Sequence, residues 1–165
     1  MLHSEVLLKI WEPMVRLVAQ GLNIELDEVT TQVERRPLEK TVEVAGMGSF
    51  EKGGQGAFRF EVMGMKNGLP LIVAEHITRI DVDCAPDWPT PPTEGGCHRV
   101  LIKGNPDLDI TVHATDHFDS GAAAGGNATA ANRLVNAIPA VCAAKAGVLS
   151  ALDVAVLPGG AQFKR

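Results

Sequence analysis

Three features that would point to other classes of protein are scarce in this 165-residue sequence. Its three cysteines, Cys84, Cys97 and Cys142, are odd in number and form no Cys-x-x-Cys pair, which is typical of free thiols in a reducing cytoplasm. No apolar run approaches the roughly 20 residues of a membrane span, and the signal-peptide pattern is missing at Met1. The net charge of −5 comes from scattered carboxylates, so no basic stripe can follow a phosphate backbone. We therefore predict a cytoplasmic protein that binds neither membranes nor nucleic acids.

Sequence motifs for nucleotide binding, catalysis and metal binding are also missing. The glycine run Gly53–Gly56 precedes a strand pattern, whereas a phosphate-binding loop follows a strand and opens a helix. Cys142 has no base at local spacing and lies in an apolar segment, so we interpret it as a buried, unreactive thiol. His113 lies on a predicted strand, where residues four apart stand about 13 Å apart, too far for His113 and His117 to share an ion. A loop after Ala114 could bring them nearer, but solvated turn residues are the favoured interpretation. The sequence therefore predicts no metal site and leaves the catalytic residues unknown.

The patterns that are present predict an α+β fold. Apolar residues at helical spacing predict an amphipathic helix from Leu2 to about Gln20, interrupted at Pro13. Alternating apolar and polar residues predict strands at Asp27–Glu34, Ala57–Met65, Leu69–Asp81, His98–Lys103 and Leu108–Ala114. Asn67-Gly68 between two such strands is a strong hairpin signal, because both residues tolerate positive φ. We expect a mostly antiparallel sheet of four or more strands with helices packed on one face, in a single domain spanning 1–165.

The glycine-rich segment before the first hairpin, Met47–Phe58, is interpreted as flexible. A second irregular segment, Asp81–Gly96, contains four prolines and Trp88. Loops of this length in compact domains tend to be functional or disordered. Trp88 either anchors this loop or forms the wall of a ligand pocket, and anchoring is favoured because buried aromatic rings mostly supply apolar area.

The segment from Gly125 to Gly147 predicts a helix with apolar residues on nearly every side, capped by Asn127 and bent at Pro139. Its broad aliphatic stripe consists of Leu134, Val135, Ile138 and Val141. We expect one side of this stripe to pack on the chain's own sheet, and the alanine-rich other side to be exposed or covered by another chain. A few polar side chains interrupt the apolar surface of this helix. Polar side chains in such surroundings usually find hydrogen-bond partners in a neighbouring domain or a ligand.

Three segments resemble the C-terminal domain of 2,4-diaminopentanoate dehydrogenase-like proteins, a group with dihydrodipicolinate reductase-like proteins and amine dehydrogenases. They are His76–Pro89 (HITRIDVDCAPDWP), Val112–Asp116 (VHATD) and Gly126–Ala144 (GNATAANRLVNAIPAVCAA). The resemblance implies an NAD(P)-binding Rossmann domain followed by an α+β domain that forms the substrate pocket and the dimer surface. The nucleotide fingerprint of the first domain has no counterpart in this sequence.

On this resemblance, the chain is the substrate-binding and oligomerisation half of an NAD(P)H-dependent oxidoreductase for amino or imino substrates. It would be inactive alone, without its own cofactor, as a truncated product or half of a split enzyme. Its expected partners are a second copy, a Rossmann domain and a small-molecule substrate. The resemblance places Trp88, Thr129 and Asn136 near the substrate cleft, with Arg79 and His113 as weaker candidates, in roles of shape and hydrogen bonding.

Two other functions use the same elements. A free-standing α+β protein could close a curved sheet over a small apolar ligand, or act as a small hydrolase or isomerase on that fold. A pure oligomerisation module needs no pocket at all. Tight NADPH binding by the chain alone would contradict the interpretation as half of an oxidoreductase.

Overall fold

A computed structural model of the chain describes residues 3–93, 95–119 and 124–154. These residues fall into two compact units, Met1–Pro89 and Thr90–Arg165. In the described residues, the helices and strands are α1 Ser4–Gly21, β1 Glu28–Pro37, β2 Val42–Val44, β3 Gly48–Phe50, β4 Gln55–Lys66, β5 Leu69–Arg79, β6 His98–Ile102, β7 Leu108–Val112 and α2 Ala124–Ala143. A single turn of 3₁₀ helix, Val82–Cys84, follows β5. The predicted α+β class is confirmed.

The first unit is built on a three-stranded antiparallel sheet with the order β1-β4-β5. Asn67 and Gly68 have φ values of 52° and 75°, as the predicted hairpin between β4 and β5 requires. Asp27 fixes this turn by accepting the Asn67 backbone N–H at 2.6 Å and pairing with Lys66 at 3.1 Å. The expected sheet of four or more strands is not confirmed, because the largest sheet among the described residues has three.

Helix α1 covers one face of this sheet, as its amphipathic pattern predicts. Leu7 and Val15 from the helix and Phe60 and Val62 from β4 form the buried cluster, each at most 4% exposed. Trp11 packs edge-on against Phe60 with the ring centroids 5.3 Å apart. No described helix of this unit packs on the opposite face of the sheet, which is called the open face below. Among the described residues of the unit, only the loop after β5 covers one end of it, over Ala57.

A short hairpin, which sequence patterns did not predict, is formed by β2 and by β3, and β3 lies in the segment Met47–Phe58 interpreted as flexible. Strands β2 and β3 pair Val42 with Phe50 and Val44 with Gly48. Gly46 and Gly48 have φ values of 79° and 90°, which the tight connection requires. Three-residue strands are too short to show an alternating pattern, which explains the error.

The second unit contains the β6–β7 hairpin and α2. The hairpin strands agree with the prediction to within two residues and form a separate two-stranded sheet. Helix α2 begins at Ala124, so Asn127 lies inside the helix and the prediction that it is the N-cap is wrong. The helix ends at Ala143 instead of near Gly147. In the described chain no helix has the length and apolar character needed to span a membrane.

The aliphatic stripe of α2 is not buried. Leu134 is 73% exposed and Ile138 57% exposed, and Val135 and Val141 are also exposed. The expectation that this stripe packs on the chain's own sheet is therefore wrong. Cys142, interpreted as a core thiol, is exposed as well. Described by itself, the second unit has only Ala124 and Gly125 buried on α2, so it offers no core to cover the stripe.

His76 makes the stability of the first unit depend on pH. Its ring stacks on Phe60 with centroids 5.2 Å apart, and the loss of solvent around it lowers the pKa of His76 in the folded state. The unfolded chain then binds the proton more readily, so stability is unaffected above the ordinary histidine pKa and falls as the pH drops through it. We expect the His76→Gln variant to lose less stability than wild type between about pH 7.5 and pH 5. Urea unfolding across this pH range measures the free energy of unfolding of both proteins. An equal dependence of that free energy on pH for the variant and wild type would contradict the prediction.

Candidate functional site

Arg79, at the end of β5, holds the loop that follows the strand. Its Nη2 donates to the carbonyl oxygens of Ala85 at 3.1 Å, Trp88 at 2.7 Å and Pro89 at 3.0 Å. Its Nε is buried and has no hydrogen-bond partner among the described residues. Bonds from a charged donor to backbone carbonyls are stronger than neutral ones, so this side chain fixes the path of the loop.

Trp88 lies at the centre of the same loop and is only 3% exposed. It packs with Ala57 of β4 and with Ala85 in a small buried cluster. The Arg36 guanidinium stands over its ring at 5.1 Å from the centroid and pairs with Asp87 at 3.4 Å. These contacts give Trp88 an anchoring position, in which the loop covers one end of the open sheet face.

A polar surface cavity of about 180 Å³ opens beside this loop. Its lining includes Lys40, whose Nζ pairs with Asp81 at 3.2 Å and with Asp83 at 3.4 Å. The Asp83 backbone N–H and the Lys40 ammonium lower the pKa of Asp81. The hydrogen bonds to Asp81 and Asp83 raise the pKa of Lys40. Lys40 offsets the charge of one of the two carboxylates. No group of three or more metal ligands occurs among the described residues.

Cys84 borders the same cavity but is poorly suited to act as a nucleophile. Its Sγ donates to the Pro37 carbonyl oxygen at 3.1 Å. Burial and the nearby Asp81 and Glu39 carboxylates raise the pKa of the Cys84 thiol, so it stays protonated at neutral pH. Sequence reasoning missed Lys40, which lies about 40 residues from its partners, because such pairing depends on the fold.

In the second unit, His113 follows β7 and has a fixed orientation. Its Nδ1 lies 3.0 Å from the Gly96 carbonyl oxygen and 2.8 Å from Thr93 Oγ1. Because a carbonyl oxygen can only accept, this network assigns the proton to Nδ1 and leaves Nε2 as an acceptor. His113 is exposed, so Nε2 can accept a hydrogen bond from a ligand.

The first turn of α2 packs closely on the residue after His113. A side chain at Gly125 would overlap the Ala114 carbonyl group, so only glycine allows this approach. Thr129 Oγ1 donates to the Gly125 carbonyl oxygen at 2.8 Å, and Asn136 lies two turns further along the same helix face. The second unit thus brings His113, Thr129 and Asn136 onto neighbouring elements, while Trp88 and Arg79 belong to the first unit.

A cluster of charges on the open face of the three-stranded sheet also escaped sequence reasoning. Arg59 of β4 pairs with Glu75 at 2.6 Å, Glu61 at 3.0 Å and Glu34 at 3.3 Å. Each of the three strands contributes one carboxylate. Alternation in each strand places these residues on one face, but only the register brings them together.

Comparisons with known proteins show what the chain is similar to. A family model described as the 2,4-diaminopentanoate dehydrogenase C-terminal domain matches residues 11–161. A curated amine dehydrogenase from Streptomyces virginiae is 46% identical over 159 residues, which are 96% of this chain and 44% of that protein. A solved structure of amine dehydrogenase from Mycobacterium smegmatis is similar in fold, with a TM-score of 0.61 at 17% identity over 92% of this chain and 40% of that one. The chain therefore spans less than half the length of these relatives.

Proposed function

Because the chain belongs to the family of 2,4-diaminopentanoate dehydrogenase C-terminal domains, we propose that it is the substrate-binding and oligomerisation half of an NAD(P)H-dependent oxidoreductase acting on amino or imino groups. The family resemblance inferred from sequence is confirmed. The observation that carries the proposal is the 46% identity to an amine dehydrogenase, of which this chain covers 44%. In this proposal residues 1–165 act together as one functional domain.

The nicotinamide nucleotide belongs to the other half of the enzyme in this proposal. A dinucleotide site needs a parallel strand, a glycine-rich turn and a helix whose N-terminus meets the pyrophosphate. The described strands pair antiparallel, so the described residues do not fit this cofactor. The proposed partner is a Rossmann domain, either on the same polypeptide or on a separate one.

This chain's own contribution would be to hold the substrate beside that domain. His113, with Nε2 free to accept, and the polar α2 face with Thr129 and Asn136 are suited to orient an amine through hydrogen bonds. Arg79 and Trp88 would shape the cleft through the loop that they fix. None of these groups is assigned a proton-transfer role.

The exposed stripe of α2 supports the docking part of the proposal. Four large aliphatic side chains, each about half exposed or more, are costly to leave in water. We propose that the nucleotide-binding domain covers this stripe, and that the complete enzyme is a homodimer. The α2 stripe and the surface that forms the homodimer would be buried only in the assembled protein.

The proposal is tested by a chimera in which this chain replaces the matched segment of the Streptomyces virginiae amine dehydrogenase. We expect the chimera to oxidise amines with NAD(P)⁺, at a rate within about a hundredfold of the parent, whereas the chain alone gives no turnover. An inactive chimera that is folded and binds NADPH would contradict the proposal. Saturable binding of a small ligand by the chain alone, with no effect of the second half, would favour a free-standing binding protein.

A further inference from the structure

We propose that Thr93 and the backbone carbonyl group of Gly96 fix which ring nitrogen of His113 carries the proton, so that His113 receives an N–H group of the substrate. The inference rests on the proposed function, in which His113 orients an amine. It adds the two positioning residues and the chemical class that His113 accepts, which is an amine, an ammonium ion or an iminium ion. All three residues lie in the second unit. The contacts of Thr93 and Gly96 with His113 Nδ1 are called the histidine clamp below.

The histidine clamp surrounds one nitrogen of the ring. Thr93 Oγ1 lies 2.8 Å from His113 Nδ1, and the Gly96 carbonyl oxygen lies 3.0 Å from the same nitrogen. A carbonyl oxygen can only accept and a hydroxyl oxygen is able to accept, so a proton on Nδ1 satisfies both contacts. With the proton on Nε2 instead, the Nδ1 lone pair would face the lone pairs of the Gly96 carbonyl oxygen. The histidine clamp therefore favours the Nδ1–H form of the neutral ring.

The path of the backbone brings the Gly96 carbonyl group to the ring. Gly95 and Gly96 both have a φ of 85°, in the left-handed region that other residues rarely adopt. Strand β6 begins two residues after Gly96, and His113 directly follows β7. Because His98 pairs with Val112, the hairpin brings the start of β6 to the end of β7. The hairpin and its glycine turn thus build the histidine clamp from backbone geometry.

The ring of His113 does not serve to pack an aromatic cluster. His76 shows the contrast, since its ring stacks on Phe60 with the centroids 5.2 Å apart. Among the described residues His113 stacks on no aromatic ring, and its side chain is exposed. A ring that is held at one nitrogen and open to solvent at the other is suited to present that second nitrogen to a ligand.

The chemistry of Nε2 identifies the class of ligand. Nε2 of His113 has no hydrogen-bond partner among the described residues. In the Nδ1–H form it carries a lone pair and no hydrogen, so it accepts from N–H or O–H groups and cannot donate to a carbonyl oxygen. An amine, an ammonium ion or an iminium ion has such an N–H group, whereas a ketone has none. The histidine clamp therefore favours a nitrogen substrate over the ketone with the same carbon skeleton.

The first test reads the position of the proton in the full 165-residue chain by NMR of the imidazole ring nitrogens. The measurement is made at about pH 8.5, where ordinary histidines are neutral. We expect wild-type His113 to be in the Nδ1–H form. Thr93→Val removes the hydroxyl group and keeps the shape of the side chain, so the ratio of the two forms should shift about fivefold toward Nε2–H. A wild-type His113 that carries its proton on Nε2 would overturn the inference.

The second test measures the effect on the substrate in the chimera, with butan-2-amine as the probe. Thr93→Val should raise KM about three- to tenfold and change kcat by less than about twofold, because the bond from the amine to His113 is made before and during the reaction. Thr93→Ser retains the hydroxyl group and should keep KM within about twofold of wild type. The matched control is Thr111→Val, the same change at an exposed threonine of β7, with KM also within about twofold.

The two tests separate this inference from the proposed function. An active chimera in which Thr93→Val leaves KM unchanged, or in which Thr93→Val and Thr93→Ser raise KM equally, would overturn the inference and leave the proposed function standing. A folded chimera that binds NADPH but is inactive, together with Nδ1–H His113 in the chain, would contradict the proposed function and support the histidine clamp.

Discussion

A Leu134→Asp substitution is expected to weaken association of this chain with the separately produced nucleotide-binding half of the Streptomyces virginiae amine dehydrogenase by at least about a hundredfold. Leu134 is 73% exposed in the chain, and the proposal buries it under the partner domain. A carboxylate there would be desolvated without a counter-ion. The chain's own free energy of unfolding should change by less than about 0.5 kcal/mol, because the residue contacts little within the chain.

The control for this prediction is Asn132→Asp, which adds the same charge two residues away. Two helical residues are about 200° around the helix axis, so position 132 lies off the aliphatic stripe. We expect this variant to associate within about threefold of wild type. Equal loss of association for both variants would mean that charge, and not the stripe, controls binding, and unchanged association for Leu134→Asp would contradict docking on this face.

The Trp88→Ala substitution is expected to lower the free energy of unfolding by about 3–5 kcal/mol. Trp88 is 3% exposed, packs on Ala57 and Ala85, and carries the Arg36 guanidinium on its outer side. Removing the ring leaves a cavity at the end of the sheet and frees the loop that Arg79 holds. Urea unfolding followed by circular dichroism measures the change without depending on tryptophan fluorescence.

Phe118→Ala provides the comparison for Trp88, because Phe118 is 95% exposed and its loss should cost less than about 0.5 kcal/mol. If Trp88→Ala lowers the free energy of unfolding as little as Phe118→Ala does, the Trp88 ring does not anchor the loop. Its role must then be contact with a ligand. A large loss of stability together with reduced substrate affinity in the chimera would agree with both roles, since a cleft shaped by the loop depends on the anchor.

Local sequence signals predicted the elements whose causes are local. The Asn67-Gly68 turn and α1 follow from positive-φ tolerance and helical periodicity within a few residues. The start of α2 did not follow in this way. Asn127 is a good N-cap residue, but the helix begins at Ala124, and its first turn lies directly against the Ala114 carbonyl, which only Gly125 permits. That contact joins the helix start to a residue eleven positions earlier, beyond the reach of a capping signal.

The candidate site shows the same limit. The family resemblance gave Arg79 and His113 as weaker candidates for the substrate cleft, but their hydrogen-bond partners follow from the paths of the loops. These partners are three carbonyl groups for Arg79, and Thr93 and Gly96 for His113. Periodicity also predicted an aliphatic stripe on α2 and could not say what covers it. The four aliphatic side chains of the stripe are exposed, so the expectation that the stripe is buried on the chain's own sheet was wrong.

The most direct test of the central claim is calorimetric titration with NADPH, first of this chain alone and then of an equimolar mixture with the nucleotide-binding half of the relative. The account predicts no saturable binding by the chain alone up to about 1 mM, since its described strands form no dinucleotide site. It predicts saturable binding by the mixture, and amine oxidation only there. NADPH binding by the chain alone with a dissociation constant below about 10 μM would contradict it.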